Sequence, residues 1–106
     1  MGDYIIVRNA RGTSRRRSCN CGTWIDHWYR HQTAPSRRIV CAALGCSDSV
    51  LVGAHVVDVS RRGMRPLHWI VPTCHRCNMT SDELAIKITV EMISANTRLM
   101  GCHRRS

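Results

Sequence analysis

Cys41-Ala42-Ala43-Leu44-Gly45-Cys46 and, 27 residues later, Cys74-His75-Arg76-Cys77-Asn78 are the stretches on which the fold turns. Each short loop turns two thiols toward one point, and zinc takes four such soft ligands in a tetrahedron. The intervening chain is β-rich over residues 50–58, basic over residues 61–66, and β-rich again in His68-Trp69-Ile70-Val71. That order predicts a hairpin with an arginine-bearing tip, which returns the second cysteine pair to the first. Pro72 is expected to stop the return strand, and the second pair to open a short helix whose N–H groups favour thiolates. Buried free cysteines are the competing reading. Two correctly spaced pairs in so short a chain favour zinc, with Cys41, Cys46, Cys74 and Cys77 as ligands.

Outward from this centre, Ile39-Val40-Cys41 reads as a short strand entering the first loop. On the far side Leu84, Ile86, Ile88 and Val90 alternate with Ala85, Lys87, Thr89 and Glu91, a period of two that predicts a strand. Upstream, Thr23 and Asp26 resemble a capping box opening a helix over residues 24–32. Trp24 and Trp28, like Ile25 and Tyr29, lie four apart and give that helix an apolar stripe, with Asp26 and Arg30 free to pair opposite. The three tryptophans read most simply as core, and base stacking is the sharper alternative. Residues 1–18 are expected to form a basic N-terminal arm, residues 19–100 a single domain, and residues 101–106 a basic tail.

The chain has 106 residues, seven of them cysteine, no phenylalanine and a formal charge of +9. One domain fits that length, and its thin core calls for a staple. No apolar run is long enough for a membrane span, and no secretory signal precedes the domain, so a cytoplasmic setting is expected, where paired cysteines are metal ligands more often than disulfides. Among the basic residues only Lys87 is not arginine. Cys19, Cys21, His27 and Cys102 would make a second four-ligand site joining the two ends of the chain. His27 and His31 share a helix face, so reduced surface thiols beside a helix histidine pair are the other reading of the same residues.

Cys41-x4-Cys46, Gly53-Ala54-His55-Val56 and Ile70-Val71-Pro72-Thr73-Cys74-His75-Arg76-Cys77-Asn78 together resemble the HNH, or treble-clef zinc-finger, family over residues 39–80. The layout also resembles small bacterial treble-clef zinc proteins without an assigned role, from Cys21-Gly22-Thr23-Trp24 through Ser94-Ala95-Asn96. The resemblance implies a small α+β zinc-stapled domain, a ββα treble-clef core with a flanking helix and strand. In HNH endonucleases a hairpin histidine is the general base, an acidic or histidine ligand precedes it, an asparagine on the return strand orients it, and a helix histidine completes the catalytic metal site. Here His55 matches the base, but Ala54 precedes it, the orienting position falls near Trp69 with His68 adjacent, and the helix position holds Asn78. Without those ligands a catalytic cation would not be retained. His55 then reads as a packed hairpin histidine, a residual base, or a replacement metal ligand.

Arg61, Arg62, Arg65 and Arg76 fall on the hairpin tip and helix, which in a treble clef usually face the nucleic-acid backbone, and Arg15, Arg16 and Arg17 form a further basic cluster on the N-terminal arm. Nucleic-acid binding, DNA or RNA, through phosphate is therefore the leading functional reading. A solvated basic surface is the bland one. The rival class is a protein–protein interaction or inhibitor module, a role that phage and mobile-element proteins of this size would fit.

Overall fold

The structure, a computed structural model, describes residues 3–10, 20–33, 39–59, 68–79 and 83–102. In chain order they form strand β1 (Tyr4–Asn9), helix α1 (Trp24–His31), strands β2 (Val52–Asp58) and β3 (His68–Thr73), helix α2 (His75–Asn78), and strands β4 (Glu83–Lys87) and β5 (Ile93–Ser94). This is a small α+β domain. Its sheet runs β4-β1-β2-β3-β5, and every pairing is antiparallel.

Strand β2 takes its extended form from Val52, Val56 and Val57, whose branched side chains suit a pleated surface. It pairs with β3 as the sequence predicts, His55 opposite Ile70 and Val57 opposite His68. The tip between them, with Arg61, Arg62 and Arg65, lies outside the described residues, as do Arg15, Arg16 and Arg17. Strand β3 runs through Pro72 instead of stopping at it. The Pro72 carbonyl turns away from β2 to accept from the Ala42 N–H at 2.7 Å, so the ring nitrogen also faces away and no ladder bond is lost.

Three further expectations change. Residues 4–9, part of the expected N-terminal arm, form β1, in the interior of the sheet between β4 and β2. Val7 on that strand is fully buried, a contribution of about 1.5–3 kcal/mol that a free arm cannot make. At the other end, Cys102 of the expected tail is fully buried too. The predicted strand at residues 39–41 is absent, and β4 ends at Lys87, leaving Ile88 in a turn and exposed.

Residues 42–44 instead join the two sides of the sheet. Besides the bond from Ala42 to Pro72, the Lys87 N–H donates to the Ala42 carbonyl at 3.0 Å and the Leu44 N–H to the Ala85 carbonyl at 2.8 Å. The segment therefore bridges β3 to β4 and wraps the sheet around a small core of Val7, Ala42, Ala54, Val56, Val71 and Ile86. The turn that follows needs Gly45, whose φ of +83° disfavours a side chain.

Helix α1 covers the opposite face, where Trp28, Ile70 and Ile93 form a second cluster. The expected capping box is present: the Thr23 hydroxyl accepts from the Asp26 N–H and the Asp26 carboxylate accepts from the Thr23 N–H. Asp26 is thereby committed to the cap, while Arg30 donates to Asn20 and Cys21, so the expected Asp26–Arg30 pair gives way to these contacts. Trp28 is buried, its indole N–H donating to the Glu91 carbonyl at 2.7 Å, whereas Tyr29 faces solvent. The start of α1 lies directly on Gly53. A Cβ there would stand 2.5 Å from the Ile25 nitrogen and from the Trp24 carbonyl carbon. Backbone cannot yield as a side-chain tip can. Gly53→Ala is expected to lower stability by about 1–3 kcal/mol in urea or thermal unfolding, by lifting α1 off the sheet.

Candidate metal centres

The first centre is assembled by the knuckle and by the end of β3. Cys41 and Cys46 flank the turn at Leu44–Gly45, Cys74 caps α2, and Cys77 lies in its single turn. The four sulfurs all lie within 4.8 Å of one another, with Cys46 and Cys74 at 3.9 Å. Ligand atoms around a tetrahedral ion with bonds of about 2.0–2.3 Å stand roughly 3.3–3.8 Å apart, so this cluster could hold a metal ion.

Its surroundings suit anionic sulfur. The Cys74 N–H donates to Cys41 Sγ at 3.3 Å. The Asp48 N–H donates to the Cys46 sulfur and brings that thiol down to about 7. Burial pushes the Cys41 thiol up. Cys77 is raised as well, by burial first and then by the neighbouring Cys74 and Cys41 sulfurs. At Cys77 the sulfur neighbours add to the effect of burial because each disfavours a second negative charge beside it.

Lys87 is a residue that sequence reasoning did not place here. From β4 its ammonium donates to the Cys41 carbonyl at 3.0 Å and to the Cys46 carbonyl at 2.7 Å, tying both ends of the knuckle together. The only signal in the sequence was that this one basic residue is not arginine. Arg76, expected to face phosphate, is 82% exposed, hydrogen-bonds the Cys46 sulfur and lies 3.8 Å from the Asp48 carboxylate.

The second centre comprises Cys21, His27, His31 and Cys102, whose ligand atoms also lie within 4.8 Å of one another. The structure thus brings together Cys21, His27 and Cys102 from the two ends of the chain, with His31 as the fourth member. Cys19, the remaining sequence candidate, lies outside the described residues. His31 was legible as the i+4 neighbour of His27, but nothing in the spacing ranked it above Cys19. His27 Nδ1 is 3.4 Å from Cys102 Sγ and 3.8 Å from Cys21 Sγ, and His31 Nε2 is 3.7 Å from Cys21 Sγ. Burial first, then the nearby Arg30 charge and, for His31, the neighbouring His27, hold both imidazoles below the ordinary histidine range.

His55 stands outside both clusters among the described residues. It occupies the α1 side of β2, edge-on to the Trp24 ring, with its Nε2 2.9 Å from His68 Nδ1. Its own Nδ1 is buried without a hydrogen-bond partner among the described residues. His68 is brought diagonally opposite His55 by the hairpin register, in which His55 faces Ile70 and His68 faces Val57. No family model, curated protein or solved structure matches the chain.

Two outcomes follow from this geometry. Lys87→Met keeps the stem but removes the ammonium, leaving the two knuckle carbonyls without their donor. It should cost about 1–3 kcal/mol in chemical unfolding and leave Lys87→Arg intermediate, because a planar guanidinium cannot reproduce the same convergence. His55 is held down to about 4 by burial and then by His68, against an ordinary value of 6.5. Above about pH 6.5 it is neutral folded or unfolded; below that, only the unfolded chain takes its proton. Its contribution to stability is therefore lost as pH falls from about 6.5 to about 4. His55→Gln should flatten that part of the stability profile measured by urea unfolding.

Proposed function

We propose that this domain is a zinc-stapled, non-catalytic module that binds nucleic acid mainly through its phosphates. The observation that carries the zinc reading is the four-cysteine cluster, whose donors are all soft thiolates fed by backbone N–H groups. Such a set suits zinc far better than magnesium or calcium, which take oxygen. The order of knuckle, hairpin and cysteine-bearing helix supports a treble-clef reading of the core. Bound there, zinc would cross-link the knuckle to the end of β3, where the enclosed core is small.

The nucleic-acid reading rests on charge. Four thiolates around one zinc ion leave two negative charges, so the formal +9 becomes about +7, nearly all of it arginine. Arginine makes bidentate contacts to phosphate, and such contacts are largely indifferent to sequence. Two features support a non-catalytic role. Ala54, fully buried before His55, carries no ligand atom. His55 Nε2 is engaged by His68 and so is not free to take a proton from water without breaking that contact.

A salt series tests this reading. With six to eight phosphate contacts, affinity for duplex DNA or structured RNA should fall roughly 10³- to 10⁴-fold between 50 and 200 mM salt. Replacing Arg15, Arg16 and Arg17 together by alanine should lower the slope by about 2–3, and supercoiled plasmid should stay intact with Mg²⁺, Mn²⁺ or Zn²⁺. A shallow slope without a mobility shift would favour the protein-binding module instead, and nicking lost in His55→Ala would restore the endonuclease.

A further inference from the structure

We propose that Cys21, His27, His31 and Cys102 form a second zinc site, of two thiolates and two imidazoles, that fastens the two ends of the chain together. The inference goes beyond nucleic-acid binding and does not depend on it. Its geometry comes from elements already fixed for other reasons. Helix α1 is set by its capping box and by its contact with Gly53, so His27 and His31 lie one turn apart on the same face, their rings 4.7 Å centre to centre. Cys21 lies in the turn just before that helix. Cys102 arrives from the opposite end of the sequence through turns closed by Met100 N–H to the Asn96 carbonyl and Cys102 N–H to the Thr97 carbonyl. The Asn20 N–H then donates to the Cys102 carbonyl at 2.9 Å, which sets the two cysteine segments side by side.

The protonation pattern is that of a ligand set. His27 Nε2 lies 2.8 Å from the Ser94 carbonyl. A carbonyl can only accept, so Nε2 carries the proton and Nδ1 presents its lone pair to Cys21 and Cys102. A metal-bound histidine needs that arrangement, one nitrogen donating to a fixed acceptor and the other free to coordinate. Arg30 donates to Cys21 Sγ at 3.3 Å, favouring the thiolate. Separations of 3.4, 3.7 and 3.8 Å between sulfur and nitrogen bracket the roughly 3.5 Å edge expected around zinc. Surface thiols beside a helix histidine pair do not describe these residues, because His27 and Cys102 are both fully buried. The set is soft and mixed, which suits zinc over the oxygen-seeking cations.

Elemental analysis of the full chain purified under reducing conditions, together with a count of free thiols, decides the matter. Wild type should carry two zinc ions, His31→Ala and Cys102→Ser one each, and Cys19→Ser still two. One zinc in the wild type, or a missing pair of thiols showing that Cys21 and Cys102 are joined as a disulfide, would overturn the site. Retention of two ions by His31→Ala with loss of one in Cys19→Ser would overturn the assignment of His31. Should the variants fail to fold, cobalt substituted into the wild type gives an independent reading. Two sets of bands are expected, one of four-thiolate and one of two-thiolate intensity; a four-thiolate spectrum alone would sink the proposal.

Discussion

Four thiols brought within 4.8 Å of one another are hard to ionise together, and the central part of the domain is organised around that constraint. Burial holds the Cys41 thiol up, and at Cys77 burial is joined by the neighbouring Cys74 and Cys41 sulfurs, each of which disfavours a further negative charge. The chain answers with N–H groups from Cys74 and Asp48, and a dication among the sulfurs would answer it far more strongly. The knuckle that delivers Cys41 and Cys46 is the same segment that bridges β3 to β4, so cluster and sheet closure stand on shared backbone. Loosening one loosens the other. Lys87 sits at that junction, its backbone N–H bonded to Ala42 and its ammonium bonded to the carbonyls of Cys41 and Cys46.

The core shows what so small a fold would gain from an ion held in such clusters. Its enclosed side is filled by Val7, Val56, Val71 and Ile86 with two alanines, Ala42 and Ala54, where the bridging segment and the sheet crowd together. Small residues permit close approach but bury little area, and a chain of this size already buries a modest fraction of its surface. On the other face Gly53 plays the same part for α1, giving up its side chain so that helix backbone can rest on strand backbone. Close approach is gained at the expense of apolar burial on both faces. Cross-links between distant segments are the physical remedy.

Signals carried by neighbouring residues were readable from the sequence. The cysteine spacing, the Thr23–Asp26 cap, the hairpin and the short helix at Cys74 each depend on a handful of residues close in the chain. The failures share a different cause. Tyr4–Asn9 looked like the start of a basic arm because its partners, β2 and β4, lie far along the sequence. Pro72 looked like a stop because its tolerance depends on which edge its nitrogen faces, a property of sheet order. Lys87 reaches carbonyls 46 and 41 residues away. His31 was visible as a neighbour of His27, yet choosing it over Cys19 required the course of the C-terminal turns. Periodicity speaks of faces; it does not say what meets them.

The surroundings of the two clusters differ in a way that follows from ligand charge. A dication on four thiolates would leave two negative charges, whereas one on two thiolates and two neutral imidazoles would leave none. Around the four cysteines the chain places donors and cations: the N–H groups of Cys74 and Asp48, the Lys87 ammonium on the knuckle carbonyls, and Arg76 against Cys46. Around the mixed cluster it places an acceptor, the Ser94 carbonyl on His27, and the Arg30 guanidinium on Cys21. N–H donors arranged for an anionic centre would compete for the lone pairs that neutral imidazoles must give to an ion. An acceptor on imidazole N–H would do nothing for bare thiolates. Each set of neighbours thus suits its own donors and would serve the other poorly, which is why the two clusters read as distinct centres in one small domain.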